Sequence, residues 1–353
     1  MKKKTMLAAF TAAVLVGAGA LFAASACAEE SKPETTTIRW ARGNSGNALV
    51  TVALRLGYFK EYGLDVQEIH MDSGSGTALI AGSVDIVSNN GTNLPLSEVA
   101  AGNQITMFCG HMLTGCMPII ARNDTEWNGI ESFVGKKIAC PPNQFALTGA
   151  LLRLGHDPLK DVEWMTLPTH SDRVAAVVNG EADYGVIGTG QMFAVLNMPN
   201  IKIVSYMSDV TPNYSCCRVY TRTKFLEENP NTFKLLMKAQ LRAQAYYEKH
   251  KEEVVKWTAE NIGADEDYVA AYMLNEHYRI NLDPIKDRII DAWDILGKTG
   301  FLPENAKNIN ITDHINTELY KAALDELMAD KAIYEADKDF YDRQLKFFNE
   351  NNH

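Results

Sequence analysis

At 353 residues, 46% hydrophobic and 22% charged, the chain is long enough for two core-forming lobes and too long for one comfortable core. Its formal charge is −10, and without the basic N-terminal segment carrying Lys2, Lys3 and Lys4 it falls to about −13. A surface that acidic repels nucleic acid and anionic lipid, so neither is an expected partner.

Residues 1–28 read as an export signal, with Lys2–Lys4 as the basic start and Met6–Phe22 as the apolar run. Residues 29–36 read as a polar tether. Two cleavage readings stand. Ala24-Ser25-Ala26 ahead of Cys27 has the look of a lipobox, which would leave Cys27 as a lipid-modified N-terminus. Ala26-Cys27-Ala28 fits the small-x-small pattern of ordinary signal peptidase. Either way the mature chain is expected in the periplasm or on the outer face of the cytoplasmic membrane. No later run approaches the length of a transmembrane helix.

From there the pattern alternates between apolar β-branched stretches and helical periodicity. Ile38–Arg42 is a strand and Leu49–Tyr62 a helix stopped by Gly63. Leu64–Ile69 is the second strand, followed by a short helix from Thr77, a strand at Val84–Ser88 and a helix at Leu94–Ala101. Gln104–Met112 and Gly115–Arg122 read as further strands, and Pro118–Ala121 marks departure from the first lobe. The second lobe repeats the grammar: strands at Lys137–Cys140, Val162–Leu167 and Tyr184–Ile187, with helices over Gln144–Leu154, from a Ser171 cap to Val178, and from Gln191. Ile201–Tyr206 and Tyr214–Thr221 are the closing strands, the latter returning to lobe one. The remainder is helical, near Asn231–His250, Glu252–Asn261, Asp265–Tyr278, Pro284–Lys298, Asp313–Ala329 and Asp337–Phe348. The expected class is α/β with a mostly parallel sheet in each lobe. Lobe 1 is discontinuous over 37–117 and 221–353, and lobe 2 covers 118–220.

Each strand's carboxyl end hands over to a loop of Gly, Ser, Asn or Thr before a helix begins. Open α/β sheets bind ligands at that edge, where free backbone N–H groups and helix dipoles converge. Neutral hydrogen-bonding candidates there are Asn44, Ser45, Asn90, Thr92, Asn143, Gln144, Thr189 and Gln191, although capping alone also explains Asn44, Ser45, Asn90 and Thr92. Phe145 and Tyr214 are candidate stacking groups; core packing and hinge packing are their alternatives. Arg42 ends the first strand, either as an anion partner or as a rim arginine paired with an acid. Five cysteines follow residue 28: Cys109, Cys116, Cys140, Cys216 and Cys217. They read as buried small hydrophobes, with a Cys109–Cys116 disulfide as the alternative, and pairing of adjacent Cys216 and Cys217 would need a strained ring. His111, Cys116 and Met117 lack metal-site spacing, so neither a metal nor a cofactor is expected.

Leu56-Gly57-Tyr58-Phe59-Lys60-Glu61-Tyr62-Gly63-Leu64-Asp65-Val66 resembles the G-Y-F-x-x-x-G-L-x-V signature of ABC-transporter solute-binding proteins of the nitrate/sulfonate/taurine type. Gly82-Ser83-Val84-Asp85, Gly135-Lys136-Lys137-Ile138-Ala139, Asn179-Gly180-Glu181-Ala182-Asp183 and Phe225–Pro230 continue the likeness in order over roughly residues 37 to 320. The resemblance implies a two-lobed periplasmic-binding-protein fold of type II with two crossing strands. It also implies a ligand held in the cleft by Asn44, Ser45, Thr92, Asn143, Gln144 and Phe145. The implied partners are an ABC permease and a separate ATPase subunit, with the binding protein itself a monomer; this chain carries no Walker motif of its own. The W-E/D-P-F stretch of many members falls on Gly188–Gln191, which lacks both the aromatic and the acid. The expected ligand is a small polar or anionic organic solute of sulfonate, carboxylate or vitamin-precursor type. Two alternatives stand beside transport: an enzyme related to the pyrimidine-precursor synthases of thiamine biosynthesis, whose cysteine-rich motif would fall near Cys216-Cys217, and a ligand sensor for a membrane receptor.

Overall fold

The computed structural model describes residues 32–71, 73–88 and 90–353. The expected signal, Cys27 and the start of the tether lie outside the described residues, as does Asn89 of the third loop. Among the described residues no helix is long and apolar enough to cross a membrane.

Twelve named strands, β1 (Thr37–Arg42), β2 (Asp65–His70), β3 (Ile86–Val87), β4 (Ile105–Gly110), β5 (Met112–Thr114), β6 (Pro118–Arg122), β7 (Lys137–Ala139), β8 (Glu163–Trp164), β9 (Tyr184–Val186), β10 (Ile201–Tyr206), β11 (Arg218–Arg222) and β12 (Arg279–Ile280), build two five-stranded sheets and a small pair. The first sheet runs β2-β1-β3-β11-β4 and the second β10-β6-β9-β7-β8. In the first, β1 is parallel to β2 and β3 while β11 is antiparallel to β3 and β4. In the second, β7 is parallel to β8 and β9 while β6 is antiparallel to β9 and β10. Each sheet is therefore mostly parallel with one reversed strand. The reversed strands are those that carry the chain into the second sheet and back, and the two-lobed α/β architecture expected from the pattern is the one observed.

Alternation explains β1. Ile38 and Trp40 enter one buried cluster with the helix Ala48–Arg55, whereas Ala41 enters another on the opposite face. Trp40 Nε1 donates to Ser88 Oγ at 2.9 Å, tying β1 to the end of β3.

Both sheets use one clamp. Gly82 and Gly180, each at φ +77°, end a helix and lead into a strand through Asp85 and Asp183. Asp85 accepts from the Arg39 backbone N–H and side chain at 2.8–2.9 Å, and Asp183 accepts from the Lys137 N–H at 2.9 Å. The arginine that ends each reversed strand closes the clamp from the other side. Arg222 donates to the carbonyls of Leu79 and Val84, and Arg122 to those of Val177 and Ala182. This gives the Gly-x-x-Asp motif its physical meaning.

Several boundaries differ from the pattern reading. The helix expected over Leu49–Tyr62 is two, Ala48–Arg55 and Tyr58–Glu61, because Gly57 turns left-handed at φ +74° between them. The returning strand begins at Arg218 rather than Tyr214, since Asn213 and Ser215 adopt φ +52° and +63°, which no strand accommodates. Thr169, not Ser171, caps the helix His170–Val178: its hydroxyl accepts from the Asp172 N–H while the Asp172 carboxylate returns to the Thr169 N–H. A helix absent from the reading, Lys331–Ala336, starts on Asp330, which accepts from two N–H groups. The helix Lys286–Lys298, assigned by sequence to lobe 1, lies against the helix Phe145–Arg153 beside the second sheet, with Arg153 and Asp291 paired at 2.6 Å. The five cysteines of the described residues are free thiols, so no Cys109–Cys116 bridge forms.

Two substitutions test this framework. Burial raises and the Arg39 contacts lower the Asp85 pKa, with a net value below the ordinary one. Its contribution is thus complete above the ordinary aspartate range and fades as pH falls through the lowered native value. Asp85→Asn is expected to cost about 2 kcal/mol at pH 7, reduced from a fully buried pair because Arg39 is partly exposed, and to lose less than wild type on acidification; urea melts at pH 7 and pH 3 measure both. A Cβ at Gly110 would collide with the Asn281 carbonyl oxygen, which is backbone and cannot swing aside. Gly110→Ala is accordingly expected to destabilise by about 3 kcal/mol or more, and an unchanged melting curve would contradict that packing.

Candidate functional site

The carboxyl ends of β1 and β3 face those of β7 and β9 across a cavity of about 620 Å³. Gly43, Asn44 and Ser45 follow β1, and Gly91, Thr92 and Asn93 follow β3. Pro141 and Asn143–Ala146 come from the loop and helix start after β7, and Gly188–Gln191 from the loop after β9. Met112, Met117, Met207, Tyr214, Cys216 and Cys217 line it from the segments that cross between the sheets. Tyr268, on the helix Glu266–Met273, lines it as well. Its hydroxyl lies 2.8 Å from where a Cβ on Gly190 would sit, so a side chain there would push the tyrosine aside.

Nine of the eleven residues read as ligand-binding candidates line this cavity: Asn44, Ser45, Thr92, Asn143, Gln144, Phe145, Thr189, Gln191 and Tyr214. Asn47 explains why Asn44 and Ser45 are released toward it. Asn47 Oδ1 accepts from the Val50 N–H and caps the helix, so capping does not use the other two. Asn44 Oδ1 is instead 2.6 Å from His70 Nε2. Gln144 stands at the head of the helix Phe145–Arg153 without a side-chain cap bond, leaving its amide to the cavity. Thr92 and Tyr214 present carbon to the cavity but have committed their hydroxyls. Thr92 Oγ1 donates to the Ser215 carbonyl at 2.5 Å, and Tyr214 OH accepts from the Gly115 N–H at 3.1 Å. Hinge packing is the observed contact of Tyr214.

Arg42 and Asn90 lie outside the lining. Arg42 reaches the Asn261 carbonyl at 3.3 Å and Glu68 at 3.9 Å, fastening β1 to the C-terminal helices, the acid-paired alternative. The Asn90 amide donates to Ser75 and Tyr220, fixing the short helix Ser75–Ile80 to β11.

The cation that does line the cavity is Arg173. It is 8% exposed, donates through Nη1 to the Val186 carbonyl at 3.0 Å, and has no hydrogen-bond partner for its buried Nε. Among the described residues no carboxylate pairs with it. Asn143 Oδ1, on the same wall, is also buried without a partner. His170, one turn before Arg173, accepts at Nδ1 from the Gly188 N–H at 3.1 Å. Its proton therefore sits on Nε2. Burial and the neighbouring Arg173 push its pKa down to about 4. The pair was legible only indirectly: Thr169-x-x-Asp172 is a capping pattern, and it sets the first turn of that helix against the crevice.

The same cavity carries a sulfur wall. The Cys217 thiol donates to Cys216 Sγ at 3.5 Å, which brings the Cys216 pKa down to about 7 and drives that of Cys217 upward. Beneath it Arg218, fully buried, donates to the carbonyls of Cys217, Met112, Asp283 and Pro284. Burial lowers its pKa to about 10. His111, beside it, is pushed down to about 4 by burial and by that guanidinium.

The NMT1/THI5-like family profile matches residues 44–254, more than half of the chain. This chain belongs to the NMT1/THI5-like family. No curated protein sequence matches it. Among solved structures, this NMT1/THI5-like fold is similar to the periplasmic aliphatic sulphonate binding protein SsuA of Escherichia coli, with a TM-score of 0.67 and 17% identity over 80% of this chain and 92% of that one. It is similar to the periplasmic nitrate-binding protein NrtA of Synechocystis PCC 6803 at a TM-score of 0.68 and 17% identity, covering 86% and 92%. The desulfurization enzyme DSZB shares the fold at a TM-score of 0.56 and 15% identity, covering 83% and 99%. The likeness to nitrate/sulfonate/taurine binding proteins read from the motifs is thus borne out.

His170 is expected to stay neutral down to about pH 4. Its ring resonances in an NMR titration should hold still through the ordinary imidazole range near about 6.5 and move only in acid; a midpoint in the ordinary range would contradict the buried geometry.

Proposed function

We propose that this chain is the exported substrate-binding subunit of an ABC uptake transporter and that it binds a small organic anion of sulfonate or carboxylate type between its lobes. The observation that carries this reading is Arg173, a nine-tenths buried guanidinium on the cavity wall with no carboxylate among the described residues. Burying an unpaired charge costs several kcal/mol, and an anion that completes the pair recovers much of it. Asn143 and Gln144 at the head of the helix Phe145–Arg153, together with His170 Nε2–H, supply neutral hydrogen bonds around the same point. Thr189 and Gln191 line the same cavity from the neighbouring loop, while Phe145 and Tyr268 offer apolar walls for the organic part.

In this reading lobe 1 spans 37–117 and 221–353, with its helix Lys286–Lys298 reaching across to lobe 2, lobe 2 spans 118–220, and ligand favours the closed arrangement in which Tyr268 meets Gly190. A membrane permease with a separate ATPase subunit receives the ligand from a monomeric binding protein in the periplasm or, where Cys27 carries a lipid, on the outer face of the cytoplasmic membrane.

A thermal-shift panel of sulfonates, carboxylates, vitamin precursors and nitrate tests this. A true ligand at a hundredfold excess over its Kd should add about 2.7 kcal/mol. Arg173→Met should abolish the gain, since losing one side of a buried charge pair costs about 2–5 kcal/mol. An Arg173→Met protein stabilised as well as wild type by the same anion would sink the proposal.

A further inference from the structure

The sulfur wall has chemistry that an anion does not use. We propose that Cys216 and Cys217 hold one copper(I) ion at the cavity wall and that Met112 completes its coordination. The two thiol sulfurs stand 3.5 Å apart. Two sulfurs each about 2.3 Å from a shared ion at a tetrahedral angle would stand about 3.8 Å apart, so small side-chain rotations reach that geometry. Thr189 Oγ1 lies 3.0 Å, Cys216 Sγ 3.1 Å and Met112 Sδ 3.7 Å from one point beside Gly115, the place a Cβ there would occupy. The thioether and the thiol thus both border the room that glycine leaves, beside the Thr189 hydroxyl. Met117 and Met207 line the same cavity.

The backbone favours ion capture over a disulfide. The Cys216 N–H donates to the Leu113 carbonyl at 3.1 Å, the Cys217 N–H to that of Met112 at 3.0 Å, and the Thr92 N–H to the Cys216 carbonyl at 2.9 Å. Closing the sulfurs to about 2.0 Å in an eight-membered ring would have to turn this pinned peptide. Sharing an ion leaves it in place. Among the described residues no group of three or more His, Cys, Asp and Glu side chains could hold a metal, so a zinc ligand set is missing. Thiolate with thioether instead selects copper(I). Each thiol releases its proton to solvent and the ion keeps its oxidation state. The resulting single negative charge lies close to Arg218, which donates to the Cys217 carbonyl at 2.8 Å.

The inference shares a cavity with the anion reading but does not rest on it. Copper(I) held by bicinchoninate, titrated anaerobically into the full chain, tests it. Wild type should withdraw one ion per chain, Cys216→Ser/Cys217→Ser none, and Met112→Leu should hold it more weakly while keeping core volume. Copper-edge X-ray absorption of the wild-type complex should show sulfur neighbours alone. Arg173→Met should still withdraw one ion, whatever becomes of its anion binding. Wild type that withdraws none, a double variant that withdraws as much as wild type, or nitrogen and oxygen neighbours at the copper would each overturn the assignment. The absorption measurement stands on wild type and so decides the matter even where the double variant folds poorly.

Discussion

An arginine at the end of each reversed strand governs the rest of the molecule. Arg222 and Arg122 bond a last-turn carbonyl of one helix and the residue ahead of the clamp aspartate, so each reversed strand is fastened to its sheet at the edge away from the cavity. With that edge fixed, the opposite edges of both sheets, where the strands end and the helices begin, face each other. The glycines at φ +77° permit the turn, and the aspartates hold the register. Everything at the crevice inherits its position from these two clamps.

The crossing segments are joined a second time by Arg218. Its guanidinium meets carbonyls of the outgoing segment, the returning strand and the stretch at Asp283–Pro284. A buried cation satisfied entirely by neutral carbonyls keeps its charge at the cost of a lowered pKa, and it converts three separate chain segments into one floor. Cys216 and Cys217 stand on that floor with their peptide held on both sides. The cavity is consequently of mixed chemistry: a cation with neutral donors at the head of two helices, and soft sulfur from the crossing segments.

Arg42 and Arg173 illustrate how far local reasoning reached. Arg42 ends a strand and Arg173 stands in the first turn of a helix, and only the first was a candidate from sequence. Arg42 found Glu68 and the Asn261 carbonyl, partners 26 and 219 positions away that no local pattern connects to it. Arg173 found only Val186 O, because its helix turns that face into the crevice where no acid follows. Thr92 and Tyr214 make the same point for hydroxyls: both residues reach the cavity, while their polar atoms are bound to Ser215 and Gly115. Tyr268 was invisible for a different reason, since it belongs to a helix distant in sequence from every loop it meets.

What the sequence determined by itself was the periodic record: strand, polar loop, amphipathic helix, and the glycines that stop them. These are local steric and hydrophobic constraints, and they carried the two-lobed α/β class, most element positions, and the loops after β1, β3, β7 and β9 at the cavity. Tertiary structure alone decided which polar atoms remained available there. Hydrogen bonds and charge pairs are settled by proximity in space, and the partners that occupied Arg42, Asn90 and Thr92, or left Arg173 and Asn143 unsatisfied, come from segments that meet only after both sheets have formed.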